Sequence, residues 1–401
     1  MKKLILTFVT ASIAMAPAYA GNWTQFRGPD GSGIATDKNI PVKLDARKSV
    51  QWKIDLPGRG LSSPIIVGNR VFVSAASGPD QTRLHVFCFD AKTGKTIWER
   101  QFWATGRTMS HSKTCVAAPT PVSDGKRLYV TYSSNDLICL DLDGNLKWLR
   151  GLTLDYPNAS NSLGMASSPV VAGDTLVLQV ENDSESFAAG IDVMTGANRW
   201  KQNRPKAANW TSPVISKLGS RKIILLQSSA GVHAIEPRTG VEVWYYGGGA
   251  STIPSTAVAA NGVVFVPSHG ITALKPGDGT KEAVELWRSG QLAPGTSSPI
   301  AFGGRVYIVN KAGALTCGDA GNGDRLWQLR MKGPFTASPV AANGHIYCVN
   351  EKGLLQVADI SKPEGEIVST LDLKDTVLGT PSIGAGAVFI RSDAHLWKIG
   401  G

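Results

Sequence analysis

The stretch Ser62–Val73, SSPIIVGNRVFV, is the first of eight similar segments that decide the fold of this chain. A small residue and a proline precede a short apolar strand, a tight turn at Gly68-Asn69 and a second apolar strand. Glycine-containing pairs tolerate the positive backbone angles that a two-residue hairpin requires. The pattern returns in PTPVSDGKRLYV (119–130), SSPVVAGDTLVL (167–178), TSPVISKLGSRKIIL (211–225), PSTAVAANGVVFV (254–266), SSPIAFGGRVYI (297–308), ASPVAANGHIYC (337–348) and GTPSIGAGAVFI (379–390).

Each unit continues with two further strands. The third ends at an acid in most units, as in VFCFD (86–90) and LICLD (137–141). After a second glycine-containing turn, the fourth strand carries a tryptophan in most units: Trp98, Trp148, Trp200, Trp244, Trp287 and Trp327. Four antiparallel strands repeated at a period of about 40 residues are typical of a β-propeller. The sequence therefore predicts an all-β fold, an eight-bladed β-propeller of four-stranded antiparallel blades.

The last unit contains only three strands and ends at LWKIG (396–400). The segment VQWKIDL (50–56) matches the tryptophan-bearing fourth strand, with Trp52 in the corresponding place. Pairing this N-terminal strand into the last blade would close the ring and remove an open sheet edge. We therefore expect one propeller domain over residues 50–401, after an N-terminal extension over residues 21–49.

Residues 1–20 have the organisation of a cleavable signal peptide. Lys2 and Lys3 precede the apolar run LILTFVTASIAMA, and AYA (18–20) supplies a small-residue cleavage site. The run is short for a bilayer-spanning helix, and no cysteine follows it for lipid attachment. We expect a periplasmic or secreted protein without a transmembrane segment.

The charge does not indicate a nucleic-acid partner. The formal net charge is +10, or +8 once Lys2 and Lys3 are removed, and Lys/Arg runs never exceed two residues. Dispersed surface charge accounts for this better than a polyanion-binding patch. We expect a monomer that does not bind nucleic acid.

The five cysteines are interpreted as structural. Cys88, Cys139 and Cys317 occupy a third-strand position that other units fill with glycine or alanine, which indicates a small buried residue. Cys348 lies in a second strand and is interpreted in the same way. Cys115 lies in an insertion, and it is the only candidate for a reactive thiol, a state that the sequence leaves open.

The proline openings and the fourth-strand tryptophans resemble the pyrroloquinoline-quinone (PQQ) repeat. This family includes eight-bladed quinoprotein alcohol dehydrogenases and the non-enzymatic propeller of outer-membrane barrel assembly. The segments NWTQFRGPDGSGIA (22–35) and NWTSPV (209–214) look more like those of secreted bacterial PQQ-like propeller proteins. The resemblance covers nearly the whole mature chain. It implies the fold more strongly than an activity.

Quinoprotein relatives imply PQQ and Ca²⁺ as cofactors. This chain has neither the adjacent cysteine pair of those dehydrogenases nor the C-x-x-C-H haem site of the quinohaemoproteins. The sequence therefore gives no positive support for PQQ with Ca²⁺, and we predict no catalytic residue.

Two long inter-blade connections, FWATGRTMSHSKTCVAAP (102–119) and GLTLDYPNASNSLGMAS (151–167), mark the expected ligand site. In a propeller such connections share a face with the turns between second and third strands. Function concentrates in long loops on a rigid scaffold. The candidate ligand-binding residues are Arg107, His111, Lys113, Asp155, Tyr156, Asn158, Asn161 and Trp210.

The turn VENDSESF (180–187) is the most acidic and polar segment, and it falls beside the second insertion. Glu181, Asn182 and Asp183 offer oxygen ligands that suit Ca²⁺. Consecutive residues on an extended turn point in different directions, so we favour a solvated polar turn and keep metal binding as the alternative.

Three functions stay open. The leading hypothesis is a non-catalytic binding or scaffold module for an envelope protein or polymer. The second is a reduced quinoprotein oxidoreductase that binds PQQ and Ca²⁺. The third is a polysaccharide-binding propeller, with Trp103, Tyr156 and Trp210 as stacking surfaces.

Overall fold

The computed structural model describes residues 21–159, 163–259, 261–277 and 280–401. Within these residues the chain forms eight four-stranded antiparallel sheets, which confirms the predicted eight-bladed propeller. The predicted signal peptide (residues 1–20) and the candidate Asn161 lie outside the described residues.

Blades 1 to 4 follow one another along the chain, and each begins at the central axis and ends at the rim. Blade 1 contains β2 (Ile65–Val67), β3 (Arg70–Ser77), β4 (Arg83–Asp90) and β5 (Thr96–Trp103). Blade 2 contains β6 (Val122–Ser123), β7 (Arg127–Thr131), β8 (Asp136–Asp141) and β9 (Leu146–Gly151), followed by the short helix α1 (Leu152–Asp155). Blade 3 contains β10 (Val170–Ala172), β11 (Thr175–Val180), β12 (Phe187–Asp192) and β13 (Asn198–Asn203). Blade 4 contains β14 (Val214–Leu218), β15 (Arg221–Ser228), β16 (Gly231–Ile235) and β17 (Glu242–Tyr246).

Blades 5 to 8 complete the ring. Blade 5 contains β18 (Ala257–Val258), β19 (Val264–Pro267), β20 (Ile271–Lys275) and β21 (Val284–Ser289). Blade 6 contains β22 (Ile300–Phe302), β23 (Arg305–Val309), β24 (Ala314–Asp319) and β25 (Arg325–Arg330). Blade 7 contains β26 (Val340–Ala342), β27 (His345–Val349), β28 (Leu354–Asp359) and β29 (Glu366–Asp372). Blade 8 contains β30 (Ser382–Gly384), β31 (Ala387–Arg391), β32 (His395–Ile399) and the N-terminal strand β1 (Val50–Asp55).

The ring closes as the sequence predicted. Strand β1 pairs antiparallel with β32, from Val50 opposite Ile399 to Asp55 opposite His395, and forms the outer strand of blade 8. Residues of β1 alternate between half-buried and exposed, as expected for a rim strand with one face against its neighbour. The two ends of the propeller domain therefore share one sheet.

The fourth-strand tryptophans join neighbouring blades. Trp98 of blade 1 donates its Nε1–H to the carbonyl of Leu142 in blade 2 over 2.9 Å. Its ring packs on Gly144, where a Cβ atom would come within 2.8 Å of the indole. Such close approach needs glycine, so the turn glycine and the tryptophan of the preceding blade act together. These contacts show how a fourth-strand tryptophan packs between neighbouring blades, which is the role that the repeat predicts.

The N-terminal extension lies across the end of the central channel where the first and second strands of each blade join. The backbone of Trp23 pairs with Ile66 in blade 1, and the carbonyl of Thr24 accepts the N–H of Ser123 in blade 2. On the other side of the ring, the backbone of Ile34 pairs with Ala341 in blade 7. We call residues 21–35 the plug, because they cross the ring beneath the channel.

Arg27 lies at the centre of the plug and is buried, with 1 % of its surface exposed. Its guanidinium donates to the carbonyl oxygens of Pro299, Thr256 and Ser32. It forms no ion pair with a carboxylate of the described residues. Burial lowers the pKa of Arg27 to about 10, so the side chain remains charged at neutral pH. The plug therefore places a positive charge beneath the channel.

All five cysteines are buried free thiols. Burial raises the pKa of Cys115 to about 12, and the pKa of Cys348 likewise to about 12. Cys115, the candidate reactive thiol, is inaccessible, because its insertion folds inward and the side chain packs in the core between blades 1 and 2. A neutral, inaccessible thiol is a poor nucleophile.

In the described part of the chain, no helix is both long and apolar enough to cross a membrane.

Candidate functional site

The segment that enters each innermost strand presents two side chains to the central channel. Because side chains alternate along an extended chain, residues i and i+2 face the same way. The second of each pair is a serine or threonine, and these eight residues form what we call the hydroxyl ring: Ser63, Thr120, Ser168, Ser212, Ser255, Ser298, Ser338 and Thr380. In seven blades a proline follows, which is the sequence signal for the ring.

The hydroxyl ring links each blade to the next. The backbone N–H of one ring residue donates to the side-chain oxygen of the next ring residue, for example Ser63 to Thr120 and Ser255 to Ser298, at 2.9–3.0 Å around the ring. The series runs through seven such bonds and stops between blades 8 and 1. There the Oγ of Ser63 is buried and has no hydrogen-bond partner among the described residues.

The hydrogen bond that is missing between blades 8 and 1 provides an internal control for how much the other bonds of the hydroxyl ring stabilise the fold. Replacing Ser298 with alanine leaves the buried N–H of Ser255 without an acceptor, which we expect to lower the free energy of unfolding by about 1–3 kcal/mol. Replacing Ser63 with alanine removes an oxygen that accepts no bond, so a change within about 0.5 kcal/mol is expected. Urea denaturation of both variants measures the difference. Equal losses would contradict a stabilising role for the ring.

The first residue of each pair lies one layer nearer the opening, and we call these eight residues the mouth ring: Leu61, Ala118, Ala166, Trp210, Ile253, Thr296, Thr336 and Leu378. The layer is largely apolar, with threonines in blades 6 and 7 only. The channel therefore changes from hydroxyl-lined at depth to apolar at its opening.

The two rings enclose a cavity of about 410 Å³. Phe26 of the plug lines it, and His111, Lys113, Thr114 and Leu163 of the two inserted loops line it as well. The N–H of His111 donates to the carbonyl of Leu163 over 2.9 Å, so the two insertions contact each other at the cavity. The cavity is large enough for a small organic molecule.

Hydrogen bonds fix the inserted loops to the blades. The hydroxyl of Thr105 donates to Asp136 over 2.7 Å, and burial raises the pKa of that carboxyl group. Arg59 donates to the carbonyls of Ser112 and Thr114. Trp210 donates to the carbonyl of Gly164 over 2.7 Å. Both loops therefore have a defined conformation against the propeller.

The sequence-predicted ligand residues separate into two groups. His111, Lys113 and Trp210 line the cavity. Lys113 also pairs with Glu351 of blade 7 at 3.0 Å, which carries the first insertion across the ring. Arg107 is exposed, and its guanidinium lies against the sulfur of Met109.

Asp155, Tyr156 and Asn158 instead lie at the rim beside blades 2 and 3. Asp155 forms an ion pair with Arg150. The rings of Tyr156 and Phe187 pack with their centroids 4.6 Å apart, and the ammonium group of Lys201 lies over the face of the Tyr156 ring. The carbonyl of Asn158 accepts the N–H of Glu185, which places this group beside the turn VENDSESF. The two insertions and the turn VENDSESF adjoin one another, but they do not form one pocket.

The expectation of a solvated turn at VENDSESF was wrong for its first two polar residues. Glu181 is 1 % exposed and pairs with Arg204 at 2.6 Å. Its carboxylate also accepts from Gln179 and Asn209. Gln179 belongs to β11 of the same hairpin, whereas Arg204 and Asn209 come from the connection after β13, which folds back over the turn. The sequence of the hairpin alone does not show these two donors. The charge of Glu181 therefore stabilises the junction of blades 3 and 4.

The oxygens of the proposed metal ligands are directed to different protein donors. The side chain of Asn182 accepts the N–H of Ser184, and exposed Asp183 accepts the N–H of Ala208. Among the described residues, no group of three or more His, Cys, Asp or Glu side chains is placed to hold a metal ion. Metal binding at Glu181, Asn182 and Asp183 stays a prediction without geometric support.

The cavity lining does not match what the resemblance implies for a calcium-bound quinone. Of the described residues that line the cavity, none is a cysteine, an aspartate or a glutamate. Carboxylates are the usual charged ligands of Ca²⁺. The lining residues that the structure describes therefore supply neither a cysteine pair nor a carboxylate for Ca²⁺.

Comparison with known proteins shows to which family the chain belongs. A family model described as outer membrane protein assembly factor BamB matches residues 30–113, 84–273 and 267–368. BamB of Alkalilimnicola ehrlichii is 29 % identical over 184 residues, which cover 45 % of this chain and 42 % of that protein. A polyvinylalcohol dehydrogenase from Pseudomonas sp. is 22 % identical over 169 residues, 39 % of this chain and 24 % of the relative. The chain thus spans less than half the length of either of these relatives.

Solved structures share the fold. BamB from Moraxella catarrhalis superimposes with a TM-score of 0.61 at 16 % identity, covering 88 % of this chain and 97 % of that one. The quinohemoprotein alcohol dehydrogenase from Comamonas testosteroni gives a TM-score of 0.70 at 13 % identity, covering 96 % of this chain and 82 % of that one. Because the family model covers most of the chain and the eight blades agree with it, this protein belongs to the BamB-like family of PQQ-like β-propellers.

Proposed function

We propose that this protein is a binding or scaffold module of the bacterial envelope that docks an envelope protein on the face carrying the two inserted loops. Family membership and the signal-like residues 1–20 support an envelope location. The lining of the channel supports a module without redox chemistry of the quinoprotein kind.

The observation that carries the proposal is the exposure of large apolar side chains at the two insertions. Trp103 is 63 % exposed, Met109 56 % and Leu154 75 %. Single exposed apolar residues are common, but several on adjoining connections of one face are typical of a protein-binding surface. We call Trp103, Met109 and Leu154 the docking residues.

The rigidity of the insertions adds to the argument. Thr105, two residues after Trp103, is hydrogen-bonded to buried Asp136. Leu154 lies in α1, directly after the rim strand β9. Loops that are ordered before binding lose less conformational entropy when the partner docks, so more of the contact energy appears as affinity.

The aromatic residues favour a protein partner over a polysaccharide. Sugar recognition was expected to use Trp103, Tyr156 and Trp210 as stacking surfaces. One face of Tyr156 is covered by Lys201, and Trp210 is half-buried at the cavity and hydrogen-bonded to Gly164. Of these three residues, only Trp103 has an exposed ring, and the guanidinium carbon of Arg83 lies 4.3 Å from the centroid of that ring.

Site-specific crosslinking tests the proposal. A photo-reactive amino acid at position 154 is expected to give one discrete protein adduct in the envelope of the source cells, which mass spectrometry identifies. The same probe at position 194, on the opposite face, is expected not to give this adduct. With the identified partner purified, the combined variant Trp103→Ser, Met109→Ser, Leu154→Ser is expected to bind at least about tenfold more weakly.

A matched control variant removes a similar amount of exposed apolar surface from the opposite face of the propeller. Leu146, Met194 and Val241 are 52 %, 65 % and 61 % exposed near the turns between third and fourth strands. Replacing all three with serine is expected to leave the partner affinity unchanged. Equal weakening by both triple variants, or an adduct with glycan instead of protein, would overturn the proposal.

A further inference from the structure

Three polar side chains of blade 1 are hydrogen-bonded in a line across strands β3, β4 and β5. The hydroxyl oxygen of Ser77 lies 2.7 Å from Nε2 of His85, and Nδ1 of the same ring lies 2.7 Å from Oε1 of Glu99. The strands are antiparallel neighbours, with Ala75 opposite His85 and His85 opposite Gln101. Ser77 and Glu99 are each two residues away from a position opposite His85, so the three side chains share one face of the sheet.

These two hydrogen bonds set the direction in which a proton can move. When Nδ1–H of His85 donates to the carboxylate of Glu99, Nε2 carries the lone pair and accepts the O–H of Ser77. This is the tautomer that a general base for a serine hydroxyl requires. Glu99 also accepts the side-chain N–H of Gln101 over 2.8 Å, which holds its carboxylate in place. The arrangement therefore has the order of a nucleophile, a base and a group that orients the base.

Packing holds the imidazole of His85 in this orientation. The residue is 3 % exposed, and its ring stacks on Phe87 with the centroids 5.7 Å apart and the planes 4° apart. The hydroxyl of Tyr132, which follows β7 of blade 2, donates to the carbonyl of His85 over 2.7 Å. A base that is already oriented loses little further freedom when a substrate binds.

Ser77 lies where the buried part of the blade meets the surface. It is half-buried, and residues 78–80 after it are exposed, so a molecule can approach the hydroxyl from this turn. On another side the chain at Gly58 packs closely, because a Cβ atom there would come within 2.7 Å of the Cα atom of Ser77. The backbone N–H of Gly78 has no acceptor among the described residues. The N–H of the residue after a nucleophile is a common donor to an oxyanion.

We propose that Ser77, His85 and Glu99 form a hydrolytic site for carboxylic esters with a short acyl group. Oγ of Ser77 attacks the ester carbonyl carbon while its proton passes to Nε2 of His85, and the resulting oxyanion accepts the N–H of Gly78. The bond to the alcohol oxygen then breaks, and His85 returns the proton to that oxygen. A water molecule that loses its proton to His85 attacks the acyl group, which leaves as the carboxylic acid and restores the Ser77 hydroxyl.

The size of the acyl group and the independence of the site follow from its position. Because Gly58 packs against Ser77, little room is left beside the nucleophile for a long acyl chain. The site lies on a sheet face of blade 1 and not in the channel. Its chemistry requires only an ester and water, so it does not depend on the proposed docking of an envelope protein.

A fluorophosphonate with a fluorescent reporter tests the nucleophile. Oγ of Ser77 is expected to form a P–O bond as the P–F bond breaks and fluoride leaves, and peptide mass spectrometry of the mature protein is expected to place the adduct on Ser77. Labelling is expected to disappear in Ser77→Ala and to fall at least about tenfold in His85→Asn. Ser268→Ala is the matched control, expected to label normally, because this half-buried hydroxyl after β19 of blade 5 is hydrogen-bonded to Thr272 and not to a histidine.

Release of p-nitrophenolate from p-nitrophenyl acetate tests turnover. Ser77→Ala and His85→Asn are expected to lower kcat/KM at least about 100-fold. Glu99 acts through His85 and is a positioning residue, so Glu99→Gln is expected to lower kcat at least about tenfold while KM and the thermal unfolding midpoint stay unchanged. The decanoate ester is expected to react at least about tenfold more slowly than the acetate, since its acyl chain meets the segment at Gly58.

Two results would overturn the proposal. One is the absence of a fluorophosphonate adduct on Ser77 in the unmodified protein, a measurement that does not require any variant to fold. The other is hydrolysis of p-nitrophenyl acetate at the same rate by the unmodified protein and by folded Ser77→Ala, which would mean that the three side chains only stabilise blade 1.

Discussion

Replacing Glu181 with alanine is expected to lower the free energy of unfolding by about 3–5 kcal/mol. The substitution leaves the guanidinium of Arg204, whose side chain is 5 % exposed, without its carboxylate. It also leaves the amides of Gln179 and Asn209 with one acceptor fewer. A buried charge that loses its partner costs far more than a surface ion pair, because water does not replace the lost interaction.

The same turn supplies the control. Asp183 lies two residues further on and is exposed, and Asp183→Asn keeps the oxygen that accepts the N–H of Ala208. We expect this change to alter stability by no more than about 0.5 kcal/mol. Equilibrium unfolding in urea, followed by tryptophan fluorescence, measures both variants. Equal effects at the two positions would mean that the turn is hydrated throughout.

Replacing Trp23 with alanine is expected to cost about 3–5 kcal/mol, the range for removing a large buried aromatic side chain. Trp23 is 1 % exposed and packs under Gly28, where a Cβ atom would come within 3.0 Å of the indole. Its Nε1 has no hydrogen-bond partner among the described residues, so the loss is one of packing. The backbone bonds between Trp23 and Ile66 remain possible in the variant.

Trp103→Ala is the matched control for Trp23→Ala, since Trp103 is 63 % exposed. Its stacking with Arg83 at 4.3 Å is a surface cation–π contact, so a loss of no more than about 1 kcal/mol is expected. Thermal and urea unfolding of the two variants give the comparison. If Trp23→Ala were as mild as Trp103→Ala, residues 21–35 would be an appendage and not a part of the folded propeller.

The repeat made the fold predictable, because each blade carries its own signals. Alternating apolar strands, glycine turns and fourth-strand tryptophans recur eight times, so an irregular unit such as PSTAVAANGVVFV (254–266) is placed by its neighbours. The closing strand β1 was predictable for the same reason, since Trp52 marks a fourth strand that lacks the other three.

The candidate site was predictable in location and less so in detail. Long insertions between blades 1, 2 and 3 correctly indicated the decorated face, and His111, Lys113 and Trp210 do reach the channel. The hydroxyl ring was overlooked although its signal, a serine or threonine before proline, is in the sequence. A single repeat does not show that these hydroxyls meet, because they come together only when the ring closes.

By itself, the sequence determined the number of blades, their strand order, the closing partner of the last blade and the place of the insertions. These features follow from local patterning, in which each strand and turn is specified by residues close to it in the chain. Tertiary structure alone decided that Glu181 is buried against Arg204, that Cys115 is inaccessible, and that Arg27 of the plug lies beneath the channel. Each of these depends on contacts between segments far apart in the chain, and burial, charge pairing and pKa are set by those contacts and not by the residue's own neighbours.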